Sequence, residues 1–367
     1  MHLKKLNFIN FKNYEDFSLE LAEKINCFVG YNGVGKTNVL DGIYYLSNCK
    51  SFFNPVDSQN IKEGEEFFVI EGVFSEENQN ETIYCGVKKG RKKVFKKGKR
   101  SYEKLSEHIG YINTVMISPI DGNLILEGSD VRRKYIDHII SQYNPSYLQD
   151  LIKYNKVLAH RNALLKQFKE SHTFESSSLE VWDDQLVPLA EKIYAIRKAF
   201  IEGFIPVFDK RYKKLSNGLE APTFTYQSHL EDEDFKNKLK ENQKKDRTVG
   251  YSTVGIHKDD YVFLLNDKPL KKFGSQGQQK TYLIALKLAH YDFISDKSFH
   301  KPILLLDDIY DKLDEKRIKQ LMEAVLQKSF GQVFITDTDQ NRLKNLFDGK
   351  EEVKVFQIAN EIPKAIG

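Results

Sequence analysis

Cysteine is scarce in this sequence: Cys27, Cys49 and Cys85 are the whole supply in 367 residues. Their spacing fits no zinc site, and so small and odd a number argues against a disulfide framework. A reducing compartment is the natural setting. Long apolar runs are missing too, since no stretch approaches the roughly 18 residues that a membrane-spanning helix needs. The opening segment MHLKKLNFINFKNY lacks the apolar core and small-residue cleavage site of a secretory signal. These absences lead to the expectation of a soluble, cytoplasmic protein. Neither sign of charge is in excess: 56 Lys and Arg stand against 52 Asp and Glu, a formal net charge of +4. A polyanionic partner therefore depends on how the basic residues cluster. Internal repeats and low-complexity tracts are absent as well.

What is present suffices for a core. Hydrophobic residues make up 40% of the chain, which excludes global disorder, and the length fits one large domain or two ordinary ones. Apolar patterning predicts strands over Leu3–Phe11, Phe17–Leu21, Ile25–Val29, Phe67–Phe74, Thr82–Lys89 and Tyr111–Ser118, with a helix from Thr37 to about Leu46. Near residue 120 the character changes. Val131–Ile140, Ser146–Lys169 and Leu179–Leu215 carry apolar residues at helical spacing and read as a helical arm, and the highly charged Glu231–Arg247 reads as a solvated helix or linker. After residue 248 strands and helices alternate again: Tyr261–Leu265, Pro302–Leu306 and Gln332–Thr336 as strands, Gln278–Ser295 as a helix. The expected architecture is an α/β head assembled from both chain ends, residues 1–120 and 248–367, around a mainly helical insertion, 121–247.

Gly30-Tyr31-Asn32-Gly33-Val34-Gly35-Lys36-Thr37 satisfies G-x-x-x-x-G-K-[ST] and lies between a buried strand and a helix. In that context the glycines let backbone N–H groups wrap phosphates, and the helix N-terminus favours their charge. Lys36 is expected on the β- and γ-phosphates and Thr37 on Mg²⁺. A plain glycine-rich turn is the competing explanation, and the strand-loop-helix context weighs against it. Ile303-Leu304-Leu305-Leu306-Asp307-Asp308 is an apolar strand ending in two carboxylates. Asp307 suits the Mg²⁺ shell, and Asp308 suits the base that orients or deprotonates the attacking water. Alone, such an acidic strand end would be weak evidence; paired with Lys36 it is strong. Phe273-Gly274-Ser275-Gln276-Gly277-Gln278-Gln279-Lys280 opens a helix just upstream. Alone it would be a serine-capped helix start. Its place between the loop and the acidic strand makes it similar to the signature of ABC ATPases, in which such a segment caps the γ-phosphate held by the other subunit.

Together these segments resemble the RecF family over nearly the whole chain. The resemblance is carried by Asn10-Phe11-Lys12-Asn13-Tyr14, the loop at 30–37, Ser118-Pro119-Ile120-Asp121, Gly128-Ser129, Arg132 to Asp137, Tyr154 through Arg161 to Lys166, Thr253 to Asp260, Gly274 to Lys280 and Leu304 to Asp314. Departures are modest. Ile256 and Lys258 stand where Pro and Arg are usual, Lys280 replaces an Arg, and Asp311-Lys312-Leu313-Asp314 replaces Ser-Glu-Leu-Asp. The resemblance implies an ABC-type head with ATP and Mg²⁺ as cofactors. It implies nucleotide contacts from Lys12, Gly30, Asn32, Gly33, Gly35, Lys36, Thr37, Asn38, Ser275, Gly277 and Gln278. It further implies weak, DNA-stimulated ATP hydrolysis used as a switch, an ATP-dependent homodimer on duplex and gapped DNA, and work with RecO and RecR to load RecA in repair and the SOS response, near the nucleoid. His257 and Asp337 receive no role.

Residues 88–100 read KKGRKKVFKKGKR, nine of thirteen being Lys or Arg, with Gly90 and Gly98 suggesting a hairpin. Such density favours phosphate contacts, with Lys92, Lys93, Lys96 and Lys97 as candidates, against the alternative of a solvated hairpin tip. The competing functions are the ATP-binding subunit of a transporter, or another P-loop ATPase or kinase that does not act on DNA. Copurification with a membrane partner would favour the transporter, and turnover stimulated by a metabolite but not by DNA would favour the kinase.

Overall fold

The computed structural model describes residues 1–308 apart from 78, 217, 219, 232 and 233, and beyond them 322, 330–339, 342, 347, 352–359 and 362–365. In chain order the elements begin with β1 (His2–Phe11), β2 (Tyr14–Glu20), β3 (Ile25–Val29), α1 (Lys36–Asn48), β4 (Phe67–Glu76), β5 (Gln79–Lys88), β6 (Val94–Lys97), β7 (Arg100–Ser101) and β8 (Thr114–Ile117). Then come α2 (Asn123–Leu126), α3 (Ser129–Tyr143), α4 (Pro145–Ser171), α5 (Ser176–Ser216), β9 (Pro222–Gln227), α6 (Phe235–Val249), β10 (Asp260–Leu265), β11 (Lys268–Pro269), α7 (Leu270–Phe273) and α8 (Gln276–Lys297). Last are β12 (Ile303–Leu306), β13 (Val333–Asp337), β14 (Val353–Ala359) and β15 (Ile362–Ala365). The chain divides into two compact units, Met1–Asp121 with Leu286–Gly367, and Gly122–Ala285.

The first unit holds two sheets. One is ordered β2-β1-β4-β5-β6-β7 and is antiparallel throughout. The other is ordered β15-β14-β3-β13-β12-β8, with every pair parallel except the edge strand β15. Strands buried on both faces of a parallel sheet have no polar face to show, so β3 (INCFV) and β12 (ILLL) are apolar nearly throughout and buried at every position. α1 carries buried residues around most of its circumference. Its core partners come from both sheets: Phe8, Phe68 and Ile70 from one, Phe28, Met116, Leu305 and Phe334 from the other. The approach is close at Gly42, where a Cβ would lie 2.3 Å from Phe8 Cζ.

The second unit is mainly helical, with a small antiparallel sheet β11-β10-β9. α4 starts at Pro145, where the missing proline N–H costs nothing, and Asn144 caps it by accepting from Tyr147 N at 3.0 Å. α4 packs on the 41-residue α5. Residues 248–285, grouped with the head on sequence style, pack in this unit instead: β10 pairs with β9, and Tyr282 of α8 donates to Thr223 O at 2.6 Å. The charged segment 231–247 includes most of α6, which buries Phe235, Leu239 and Asp246 and is thus anchored on one side. Among the described residues no helix is long and apolar enough to cross a membrane.

Candidate active site

The parallel sheet brings the carboxyl ends of β3, β12 and β13 side by side, the edge where α/β folds bind ligands. From β3 the chain enters the loop 30–35 and then α1. Gly35 has φ +104°, left-handed, and a Cβ there would meet Asn13 Nδ2 at 2.5 Å and the Tyr14 hydroxyl at 2.9 Å, so only glycine fits. Lys36 is buried, and its ammonium donates to the carbonyls of Gly30 and Tyr31 at 3.0 Å each, curled across the loop. α1 has no acidic residue of its own in its first turn and no side-chain cap at Gly35, so the helix itself supplies no anion to its N-terminus. Asn32 and Gly33 are exposed at the loop's crest.

The Thr37 hydroxyl donates to Asp307 Oδ1 at 2.8 Å. Asp307 is buried at the end of β12, and burial raises its pKa against the pull of hydrogen bonds from Thr37 and Thr336. Asp308 follows in the left-handed region at φ 43°, and its N–H donates to Thr336 Oγ1 at 2.9 Å. Thr336 also donates to Asp307 Oδ1 at 2.9 Å, so one hydroxyl ties both acidic positions to β13. Sequence reasoning did not single out Thr336, because a threonine at a strand end is commonplace. Asp337 is buried beside it, accepts from Asp339 N at 3.0 Å and has Arg342 at 3.4 Å. Residues 311–314 lie outside the described residues.

The opening motif holds the loop from the antiparallel sheet. Asn13 donates to Val34 O at 3.3 Å and accepts from Asn38 at 2.7 Å, and the Tyr14 hydroxyl donates to Gly35 O at 3.1 Å. Asn38, expected to touch nucleotide, is thus engaged by Asn13. Lys12, also expected on the nucleotide, has its ammonium 2.5 Å from Asp41 of α1. Asp41 is wholly buried and accepts in addition from Ser51 Oγ at 2.6 Å and Phe52 N at 2.7 Å.

Ser275 lies in the second unit, before α8, and is exposed with Gln276 and Gly277. Its Oγ accepts from Gln278 N at 3.2 Å, while Gln278 Oε1 accepts from Ser275 N at 2.7 Å, a reciprocal capping box. Gln278 Nε2 continues to Glu220 at 2.6 Å. Phe273, just ahead, is exposed. In the same unit the segment 255–260 is a structural hub. Arg197, almost wholly buried, donates to Ile256 O at 2.9 Å, Asp259 at 2.7 Å, Asp137 and Tyr147, and Arg132 forms a bidentate pair with Asp260 at 2.8 and 3.0 Å. His257 bonds the Tyr154 hydroxyl at 2.9 Å and Ser252 O at 3.1 Å, and burial lowers its pKa to about 4. It is a structural histidine.

The basic segment forms β6 and β7 with their turns. Arg91, Lys92, Lys99 and Arg100 are exposed. Lys93 must be removed from the phosphate-contacting set: its ammonium lies 2.8 Å from Asp57 and donates to Cys49 O at 2.6 Å and the Tyr45 hydroxyl at 3.1 Å. Lys96 and Lys97 are half-buried, and Lys97 sits 3.6 Å from the Tyr111 ring centroid.

A phosphate loop opening α1, a hydroxyl-carboxylate pair at the facing strand end and a capped serine turn before α8 define the class. This is an ABC-type P-loop ATPase, its head built from both chain ends and its inserted unit mainly helical. The AAA ATPase domain family matches residues 1–255. The DNA replication and repair protein RecF of Flavobacterium johnsoniae is 48% identical over 98% of this chain and 100% of its own. That of Phocaeicola vulgatus is 47% identical over 98% and 96%. The solved structure of the recombination mediator protein RecF with ATP superposes with a TM-score of 0.90 at 31% identity, covering 100% of this chain and 98% of that one. The chain belongs to the RecF family of DNA replication and repair ATPases.

Proposed function

We propose that this protein is an ATP-driven clamp of recombinational repair, which closes as a homodimer on duplex DNA at single-strand gaps and opens on slow, DNA-stimulated hydrolysis. The observation that carries the reading is the Thr37–Asp307 hydrogen bond, which joins the phosphate loop to the acidic strand end. One hydroxyl and one carboxylate are a donor set suited to Mg²⁺, which keeps several waters and takes its remaining ligands from phosphates. Bound there, Mg²⁺ would neutralise charge building on the phosphates.

The chain's own residues divide the remaining work. Lys36, already aimed across the loop, would exchange its two carbonyl partners for phosphate oxygens. Asp308 would accept a proton from the attacking water, and Thr336 fixes its backbone. The exposed Ser275 turn would meet the γ-phosphate held by a second copy, with Gly277 leaving room for backbone approach. The exposed cations of the hairpin, Arg91, Lys92, Lys99 and Arg100, would contact DNA phosphates. Lys12, held by Asp41, would reach nucleotide only by leaving that pair. Work in a RecF, RecO and RecR route that loads RecA, in the cytoplasm beside the nucleoid, is the reading that family membership and the RecFOR pathway named for the solved relative support.

The deciding experiment measures mass by light scattering, and affinity for gapped, duplex and single-stranded DNA, without nucleotide, with ADP and with ATP. Dimers and tight gapped-DNA binding with ATP alone are expected. A monomer indifferent to nucleotide would refute the clamp.

A further inference from the structure

β8 is the edge neighbour of β12 in the parallel sheet, with Met116 opposite Leu305 and Ile117 opposite Leu306. Asp307 N continues the ladder by donating to Ile117 O at 2.9 Å. The next position on β8's path is Ser118, level with Asp307. Alternation along the strands settles which face it takes. Thr114 Oγ1 accepts from Asn48 of α1 and donates to Ser47 of α1, and Met116 shares the core cluster with α1. Ser118, two further on, therefore belongs to the α1 face, as does Asp307, which bonds Thr37.

Ser118 is only 6% exposed, and its Oγ has no hydrogen-bond partner among the described residues. A buried hydroxyl without a partner is costly, about 1–3 kcal/mol. It is also held in place. Ser118 N donates to Asp121 Oδ2 at 2.8 Å, and Asp121 Oδ1 pairs at 2.6 Å with Lys287, whose ammonium donates back to Met116 O at 3.0 Å. The turn after β8 is thus fixed by a buried ion pair, while the one polar group that it carries toward the phosphate-loop face is left unsatisfied.

We propose that Ser118 is a positioning residue of the ATPase site, its hydroxyl binding a water of the hydration shell of the divalent cation held at Thr37 and Asp307. This rests on the nucleotide-site assignment above. Ser118 touches neither phosphate nor the reacting oxygen. It restrains the shell of a cation that keeps most of its waters, and losing one such hydrogen bond is worth about a factor of ten.

The test compares Ser118→Ala, Ser118→Thr and Lys36→Ala in the full chain. Three quantities are read: ATP turnover, the Mg²⁺ concentration for half-maximal binding of the unreactive analogue adenylyl-imidodiphosphate, and the melting temperature without nucleotide. Ser118→Ala should lower turnover about tenfold and raise the Mg²⁺ requirement several-fold. It should leave the nucleotide-free melting temperature unchanged or higher, because no protein hydrogen bond is lost. Ser118→Thr, which keeps the hydroxyl, should restore turnover and Mg²⁺ requirement. A wild-type Mg²⁺ requirement in Ser118→Ala, or a lowered melting temperature showing a purely structural bond, would overturn the proposal. If Lys36→Ala loses ATP turnover while Ser118→Ala behaves as wild type, only the Ser118 assignment fails. If Lys36→Ala turns over ATP normally, the nucleotide site itself is wrong.

Discussion

Thr37 and Asp307 stand 270 residues apart in sequence and 2.8 Å apart in space, hydroxyl to carboxylate. Their hydrogen bond makes one site of two motifs, and the consequences of breaking the site at each corner can be stated in advance.

Lys36→Ala should cut ATP turnover by at least a hundredfold, since one preorganised cation in a closed phosphate site contributes about 3 kcal/mol or more to the transition state. Steady-state hydrolysis with a circular-dichroism control for folding decides it. Near-normal turnover would remove the phosphate loop from the chemistry.

Asp308→Asn keeps the shape and removes the basic oxygen. Nucleotide affinity should stay within a few-fold, turnover should fall roughly 10²–10⁴-fold, and an ATP-bound dimer should accumulate in light scattering. Wild-type turnover without added dimer would reassign the base.

Ser275→Arg should bind ATP as a monomer and fail to dimerise. The cap is lost too, at a cost of about 1 kcal/mol. Ser275→Asp therefore serves as the control: it preserves the capping of Gln278 N but sets a negative charge against the γ-phosphate, so it should be as stable as wild type and, like Ser275→Arg, remain monomeric with ATP. Normal dimerisation by both variants would reduce the segment to a helix cap.

The cations of the hairpin separate into two kinds. Replacing Arg91, Lys92, Lys99 and Arg100 by alanine should make the salt dependence of duplex binding shallower by up to roughly 3–4 units of log–log slope, about 0.9 for each phosphate no longer neutralised. ATP binding should not change. Lys93→Ala should act on stability instead, costing about 1–2 kcal/mol, because Asp57 and the Cys49 carbonyl lose their donor. Urea titrations of both variants distinguish the roles, and an unchanged slope in the quadruple variant would move the DNA surface elsewhere.

Acid should destabilise the first unit through His108. This wholly buried imidazole bonds Leu46 O at 2.7 Å and the Tyr102 hydroxyl at 3.1 Å, and burial lowers its pKa to about 4. Unfolded, it takes a proton near 6.5. Between those values the unfolded chain holds more protons, so stability is complete above about pH 6.5 and is lost as pH falls toward 4, by up to about 3 kcal/mol. His108→Gln should flatten the urea midpoint's dependence on pH over that range, and an equally steep dependence would show that other groups govern it.

Much of the site is legible in one dimension because its chemistry is local. The loop 30–37 needs glycines and a lysine at fixed spacing, and INCFV and ILLL announce buried parallel strands. What sequence hides depends on distant partners. Lys92 and Lys93 are adjacent and look alike in a charge run, but only Lys93 meets Asp57, 36 residues away. Arg161 and Arg197 read as polar positions on helices. Both are buried because carboxylates from remote segments converge on them, Asp183 and Asp246 on one, Asp137 and Asp259 on the other. β9 opens on a proline and is only six residues long, PTFTYQ, so its alternation of threonine with aromatics is too short to stand out until β10 pairs with it. Residues 248–285 group with Gly122–Ala285 for the same reason: strand-and-helix style tells what a segment forms, not which unit it packs in.

The order of strands in the parallel sheet also has a bearing on biosynthesis. β3, which delivers the phosphate loop, lies between β13 and β14, pairing Ile25 with both Val333 and Val353. It is among the first strands to leave the ribosome, and its two neighbours are among the last. Until they emerge, a strand apolar at every position but Asn26 has both edges unpaired, which invites aggregation or chaperone capture. A chain truncated during synthesis before β13 would carry every residue of the loop 30–37 but lack Thr336 and the strand that joins β3 to β12, leaving the loop and Asp307 without the sheet that brings them together.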